Sequence, residues 1–107
     1  MIQATYYRSY NRLTVTGHAG SAEPGKDLVC ASASMLAYTL AANVSNMADN
    51  GQVRHPIIKT DAGDAEISCN PLHNLKASVT LIFDSVCAGF ELLAHDYPDF
   101  VKYEIRS

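Results

Sequence analysis

The sequence predicts an α+β fold: a mixed or antiparallel sheet of about five strands with two helices packed on one face. Four short segments alternate apolar and polar residues with the period of two that half-buried strands show, and a fifth, residues 57–61, is assigned from the turn composition that follows it. Two longer segments repeat apolar residues every three or four positions, as amphipathic helices do. Their order along the chain is β-β-α-β-β-α-β, which is typical of an α+β fold. At 107 residues the chain is long enough for one packed core but not two, so residues 1–107 are predicted to form a single domain.

The first two strands are predicted to form a β-hairpin. Apolar side chains alternate with polar ones over residues 2–7 and again over residues 13–16. Ser9-Tyr10-Asn11 between them has the composition of a turn. Because the second strand ends just before Gly17-His18, the hairpin brings the imidazole of His18 to the end of the sheet.

Two apolar stripes predict the helices. The first helix is expected from Asp27 to about Asp49, where Asn50-Gly51 ends it, and the second from about Leu75 to Asp96. The stripe of the first helix consists of Val29, Ala33, Leu36, Leu40, Val44 and Met47, and that of the second consists of Val79, Ile82, Phe83, Val86, Phe90 and Leu93. A glycine inside the second helix, Gly89, costs about 1 kcal/mol relative to alanine, which indicates a close approach to the other helix or a partner subunit.

The remaining segments complete the sheet. After the helix-breaking Pro56, residues 57–61 and 65–70 are predicted to be strands joined by a tight turn, and residues 101–106 form the last strand. Cys69 falls on the apolar face of its strand and Cys87 borders the apolar side of the second helix, so both are expected in the core. His55 and His73 lie next to turn residues, for which a solvated loop position is the default expectation.

The stretch from Gly17 to Ser34 contains the residues that are best suited to catalysis. If Asp27 is the N-cap, Cys30 is the third helical residue, where the free N–H groups and the positive end of the helix dipole favour a thiolate. A neighbouring His18 could carry the proton to a leaving amine, and the same N–H groups could receive an oxyanion. The alternative is that Cys30 is a small buried residue and His18 an ordinary turn residue.

Ser34 follows Cys30 by four positions and therefore shares its helix face. Its hydroxyl could bond near the thiolate, or it could bond back to a carbonyl of its own helix, as serines inside helices often do. The two interpretations are equally compatible with the sequence.

Composition excludes several classes of function. A net charge of −3 and a sequence pI near 5.7 argue against a nucleic-acid-binding protein. No uninterrupted run of about 18 apolar residues and no signal peptide pattern is present, so no membrane association is expected. Three cysteines without C-x-x-C spacing fit a reducing cytoplasm better than a disulfide framework. No metal or other cofactor is expected.

Two motifs resemble those of the ribosomal-processing cysteine protease family, called Prp. They are Gly17-His18-Ala19-Gly20 followed by Gly25-Lys26-Asp27-Leu28-Val29-Cys30-Ala31, and Tyr97-Pro98-Asp99-Phe100-Val101 near the end. The resemblance implies a single cysteine protease domain over residues 1–107, active as a homodimer; the cytoplasmic location is expected from the cysteines. Its members remove the N-terminal extension of a bacterial large-subunit ribosomal protein, cutting beside an aromatic residue followed by a small one. Position by position, Cys30 matches the nucleophile and His18 the base, while Asp27 and Ser34 match supporting polar positions.

The segment between histidine and cysteine departs from the family pattern. Ser21, Pro24 and Lys26 stand where family members usually have bulkier or aromatic side chains. Ser32-Ala33 replaces a usual Ala-Val pair. Both members of the Cys-His pair remain, so the departures put the substrate in doubt, and a phage protein with a similar cleavage site is a possible target. This segment is predicted to be a flexible substrate loop that orders when substrate binds; it consists of Gly20, Ser21, Ala22, Glu23, Pro24 and Gly25.

Two alternatives come from other functional classes. A non-catalytic dimeric module could capture a peptide with a sheet edge or a loop, retaining Cys30 and His18 without using them. A redox-sensing protein could use Cys30 as an oxidisable thiol.

Overall fold

The computed structural model describes residues 1–18 and 26–107. Within these residues the chain forms five strands and two long helices. In order they are β1 Ile2–Tyr7, β2 Arg12–Thr16, α1 Lys26–Asp49, β3 Val53–Asp61, β4 Asp64–Pro71, α2 Lys76–Asp96 and β5 Val101–Arg106. Short 3-10 turns at Arg8–Tyr10 and His73–Leu75 precede β2 and α2.

The strands form one mixed sheet in the order β3-β4-β2-β1-β5. β5 pairs with β1 in parallel, and all other neighbouring strands of the described sheet are antiparallel. α1 packs on β3 and β4, α2 packs on β5, and the two helices contact each other. The predicted fold class, a mixed sheet with two helices on one face, is therefore confirmed.

The apolar stripes of both helices form the core together with the inner face of the sheet. Val29, Leu40, Val44, Phe83 and Phe90 are all completely or almost completely buried. The other stripe residues are buried too, except Leu36 and Ile82, which are half-buried and pack against the core. Cys69 and Cys87 are buried in the same core, as predicted.

Gly89 lies where the two helices approach each other. A Cβ at this position would come within 2.6 Å of Leu36 Cδ2 on α1, closer than real side-chain contacts allow. The predicted close approach to the other helix is therefore confirmed.

A polar cluster joins the first hairpin to α2. The hydroxyl of Tyr6, a buried residue of β1 stacked on Phe83, donates to Asp84 Oδ1 at 2.8 Å. Arg8 donates two hydrogen bonds to the same carboxylate, each 3.1 Å long. At the other side of the hairpin, Asn11 donates to Thr80 Oγ1 at 3.1 Å. These bonds fix the orientation of β1 and β2, and so of the chain that leaves β2 towards His18.

The start of α1 differs from the prediction. The described part of α1 already includes Lys26, so Asp27 lies within the helix and is not its N-cap, and Cys30 is not its third residue. Acidic residues are favoured throughout the first turn by its exposed N–H groups, so composition alone does not distinguish the N-cap from the positions after it.

β3 is longer than predicted and contains Pro56. The pairing shifts between Arg54 and Ile57, so that His55 and Pro56 together lie opposite Cys69 in a β-bulge, with His55 at φ +51°. A proline is tolerated here because β3 is an edge strand, and an edge strand needs hydrogen bonds on one side only. His55 is exposed as expected, although it lies in a strand and not in a loop.

Both helices contain segments that are long and apolar enough to cross a membrane by length and composition, namely Leu28–Asp49 and His73–Asp96. Core helices meet the same criterion, and the buried residues of both helices belong to the core shared with the sheet. This property is therefore a weak indication of membrane insertion.

Candidate active site

A cleft of about 260 Å³ lies between α1, the end of β2 and the turn that joins β3 to β4. His18, Cys30 and Ser34 all line it. His18 precedes Cys30 by 12 positions and Ser34 by 16, yet all three meet at one opening of the molecular surface. The fold brings these predicted site residues together.

One face of α1 forms a wall of the cleft. Cys30, Ser34 and Tyr38 follow one another at intervals of four residues, and all three line the cleft. Cys30 is half-buried, while Ser34 and Tyr38 are exposed. The sequence analysis missed Tyr38, although its four-residue spacing from Ser34 could have identified it. An exposed aromatic ring in the same cleft as a thiol offers a surface on which an apolar ligand side chain can pack.

His18 follows β2, and hydrogen bonds hold the backbone on both sides of its Cα. The N–H of Gly17 donates to the carbonyl oxygen of Gly63 at 3.0 Å, and the Met1 nitrogen donates to the His18 carbonyl oxygen at 2.5 Å. Gly17 has φ +88°, and a Cβ there would lie only 3.3 Å from the Met1 carbonyl carbon. Only glycine fits this conformation and this close contact, so the residue before His18 is dictated by its surroundings.

The turn between β3 and β4 forms the opposite wall of the cleft. Thr16 at the end of β2 pairs with Asp64 at the start of β4, and this register brings the turn alongside His18. Asp61, Gly63 and Asp64 of the turn line the cleft. The sequence analysis identified the turn but not its place at the site, because the pairing of β2 with β4 is not visible in local sequence patterns.

The turn also brings negative charge to the cleft. Lys59 Nζ donates to Asp64 Oδ2 at 2.6 Å, and this hydrogen bond raises the pKa of Lys59. Both side chains of the pair are about half exposed, so it contributes little to stability. Its effect is to place a cation beside the Asp64 carboxylate, and the same ammonium interacts with Asp61 over a longer distance.

The three thiols have different surroundings. Burial raises the pKa of Cys69 to about 11 and that of Cys87 to about 12. Both are therefore protonated at neutral pH and enclosed in the core. Cys30 is the thiol that lines the cleft. Only a thiolate that a substrate can reach can act as a nucleophile, so Cys30 is the candidate.

The sequence matches a family of known proteases along nearly its whole length. The model of the family described as cysteine protease Prp matches residues 1–102. The chain belongs to the Prp family of cysteine proteases. A comparison with curated proteins found no match.

Solved structures similar to the chain include other members of the fold. The crystal structure of SMU.848 from Streptococcus mutans is 31% identical, with a TM-score of 0.71 over 98% of this chain and 93% of that one. Two structures of the essential ribosomal processing protease Prp from S. aureus, one with a covalently linked product peptide and one with a substrate peptide, are 20% and 19% identical. Both have a TM-score of 0.69 over 98% of this chain and 97% of that chain, and at this identity they support the fold alone.

Other predicted site features of this Prp family member stay predictions. The predicted substrate loop, residues 20–25, lies outside the described residues. Asp27 lies in the first turn of α1, and its supporting role is untested. Ser34 forms neither of the two expected hydrogen bonds with a described residue, whereas the nearby Ser32 bonds back to the Leu28 carbonyl at 2.7 Å. Within residues 1–18 and 26–107 there is no cluster of three or more His, Cys, Asp or Glu that could hold a metal ion.

Proposed function

We propose that the chain is a cysteine endopeptidase in which Cys30 is the nucleophile and His18 the general base and acid. The observation that carries this proposal is their common position in one cleft, at the start of α1 and the end of β2. Membership of the Prp family supports proteolysis as the class of reaction. The burial of Cys69 and Cys87 supports Cys30 as the reactive thiol.

One imidazole takes up and returns a proton in each half of the reaction, first in forming the thioester and then in hydrolysing it. His18 takes the proton of the Cys30 thiol, and the sulfur attacks the peptide carbonyl carbon to form a C–S bond and an oxyanion. Backbone N–H groups at the start of a helix are suited to stabilise such an oxyanion, and we propose that those near Cys30 do so. When the C–N bond breaks, the imidazolium returns its proton to the leaving amine. Water, activated by the neutral imidazole, then hydrolyses the thioester to a carboxylate and restores the thiol.

The proposed substrate is the N-terminal extension of a bacterial large-subunit ribosomal protein, or a phage protein with a similar aromatic-small cleavage site. The S. aureus protease of the same fold is a ribosomal processing protease and has been crystallised with substrate and product peptides. The exposed ring of Tyr38 in the cleft supports an aromatic residue in the substrate. The protease is proposed to act in the cytoplasm as a single domain of residues 1–107 that needs no cofactor.

We propose that the protease is a homodimer, as the family resemblance implies. A groove between α1 and α2 on the side away from the sheet is lined by Met35, Leu36 and Leu92, among others. Met35 and Leu92 are each about two-thirds exposed. Exposed apolar patches of this kind support self-association, which sedimentation of the purified chain measures directly.

The decisive experiment is cleavage of a peptide that contains a single aromatic-small junction, followed by mass spectrometry. The wild-type chain is expected to produce one pair of fragments. Cys30→Ser and His18→Ala are expected to produce none, because the first has a much weaker nucleophile and the second cannot move the proton. His73→Ala is the matched control, since it removes an exposed imidazole that precedes the start of α2 and lines a different groove from His18. It should cleave like the wild type.

Other outcomes distinguish the alternative functions. A wild-type chain that binds the peptide but leaves it intact after long incubation contradicts proteolysis of this substrate and favours a peptide-binding module. A chain that leaves the peptide intact and forms a reversible sulfenic acid at Cys30 with peroxide favours the redox function. Cleavage that persists in both Cys30→Ser and His18→Ala contradicts the assignment of the two residues.

A further inference from the structure

Gly63, in the turn between β3 and β4, contacts His18 and the residue before it. Its carbonyl oxygen accepts the hydrogen bond from the Gly17 N–H at 3.0 Å. Its Cα faces the imidazole of His18, because a Cβ built on Gly63 would lie 2.6 Å from His18 Cε1 and 3.2 Å from Cδ2, with Nε2 closer still. One residue of the turn therefore supports both the backbone and the ring of the Gly17-His18 segment.

The contact leaves no room for a side chain at residue 63. Real Cβ atoms do not approach other heavy atoms to less than about 3.0 Å, so any larger residue would have to displace the imidazole or the turn. The turn is the less movable of the two, since β4 pairs with β2 up to Asp64 and Thr16 and the Gly17 hydrogen bond joins them beyond that pair. The imidazole is exposed, so it would be the group that moves.

We propose that Gly63 is a positioning residue: its bare Cα forms the seat that sets the orientation of the His18 ring towards Cys30. The inference rests on the proposed function, in which His18 transfers the proton. Proton transfer requires donor and acceptor within hydrogen-bond reach, and a displacement of about 1 Å at a reacting group can reduce a rate about 100-fold. A methyl group at residue 63 would impose a displacement of that size.

The backbone conformation of Gly63 has to be separated from its contact with His18. Gly63 has φ +73°, which any residue with a Cβ adopts at a cost, so a substitution there strains the turn as well as the ring. The chain provides a control with the same strain. Gly51, after α1, has φ +72°, and a Cβ there would meet nothing within 4 Å. Gly51→Ala therefore reproduces the backbone cost of Gly63→Ala without the contact with the imidazole.

The test compares the wild type, Gly63→Ala and Gly51→Ala in two assays. The first is kcat and KM for the aromatic-small peptide from pH 5 to 9. The second is the Cε1–H resonance of His18 in a ¹H–¹³C spectrum, assigned by its absence in His18→Ala. Gly63→Ala is expected to lower kcat between 10- and 100-fold with little change in KM, to shift the pH profile, and to move the His18 resonance. Gly51→Ala should stay within about twofold of the wild type and leave the resonance unchanged.

A second variant covers the case in which Gly63→Ala does not fold. Gly63→Asn places the same Cβ against the ring, but asparagine tolerates positive φ better, and Gly51→Asn is its control. If the wild type cleaves the peptide and both Gly63 variants match their Gly51 controls in kcat and in the resonance, the inference is overturned and the proposed function stands. If the wild type does not cleave, the proposed function fails and the catalytic role of the seat fails with it, whatever the resonance does.

Discussion

Iodoacetamide is expected to modify Cys30 in the folded chain and to leave Cys69 and Cys87 almost unmodified. The reagent attacks thiolates, and an ordinary cysteine with a pKa of about 8.5 is roughly one quarter thiolate at pH 8. With pKa values of about 11 and about 12, Cys69 and Cys87 are thiolates at pH 8 in only about one molecule in 1,000 and one in 10,000.

The difference in ionisation predicts the size of the effect. Thiolates of higher pKa are intrinsically better nucleophiles, which offsets the lower populations by about 13-fold and 40-fold. Cys69 is then expected to react about 20-fold, and Cys87 about 60-fold, more slowly than an ordinary thiol. Both side chains are also enclosed, at 2% and 1% exposure, so the reagent reaches them only when the structure opens and these factors are lower limits.

The assay is peptide-mapping mass spectrometry at a series of times at pH 8. All three cysteines of a chain unfolded in urea should react at similar rates, which is the control for the chemistry. In the time in which the folded wild type takes up one label, folded Cys30→Ala should take up almost none. Rates at Cys69 or Cys87 within a few-fold of those in urea would refute the reasoning. Repeating the Cys30 rate as a function of pH in wild type and His18→Ala tests whether the imidazole promotes the thiolate.

Two further predictions concern stability, measured by urea unfolding. Arg8 and then Tyr6 hydrogen-bond Asp84 and hold its pKa low, so Asp84→Asn should lower the free energy of unfolding by about 1 kcal/mol at pH 7. A lowered pKa stabilises the folded state above about pH 3.9, the pKa of unfolded Asp, so the loss should disappear as the pH falls below that value; a loss unchanged at pH 2 contradicts this cause. Gly89→Ala should raise the free energy of unfolding by about 1 kcal/mol through helix propensity, but its Cβ overpacks against Leu36, which should lower the free energy of unfolding by about 1–3 kcal/mol. In a Leu36→Ala background only the gain should remain, and equal effects of Gly89→Ala in both backgrounds would contradict the clash.

Periodic features were predictable because each depends on local geometry. The α1 stripe that includes Val29, Leu40 and Val44 repeats with the helical period, and these residues are buried as expected. Gly89 could be interpreted correctly because a glycine inside a helix is costly unless something approaches it. The N-cap of α1 was assigned wrongly because an aspartate fits the first turn of a helix as well as the N-cap. The bulge at His55 and Pro56 was missed because a proline inside an apolar run usually marks the end of a strand.

Some residues of the candidate site could likewise be predicted from the sequence, and others could not. His18 and Cys30 were identified from residue type, from the neighbouring glycines and from the family resemblance. The contribution of Tyr38 was available in the four-residue spacing from Ser34 but carried no chemical signal of its own. Gly63 could not be found from local sequence at all, because its contact with His18 depends on the pairing of β4 with β2.

By itself the sequence determined the elements, the face that each one buries and the chemical types at the site, because periodicity and residue type act within a few neighbouring positions. Only the tertiary structure decided the strand order β3-β4-β2-β1-β5 and, through it, which turn lies against the imidazole. The physical reason is that strand pairing is selected by packing over long sequence separations. Local composition shows that Asp61 to Asp64 form a turn, but only the register with β2 determines that this turn supports His18.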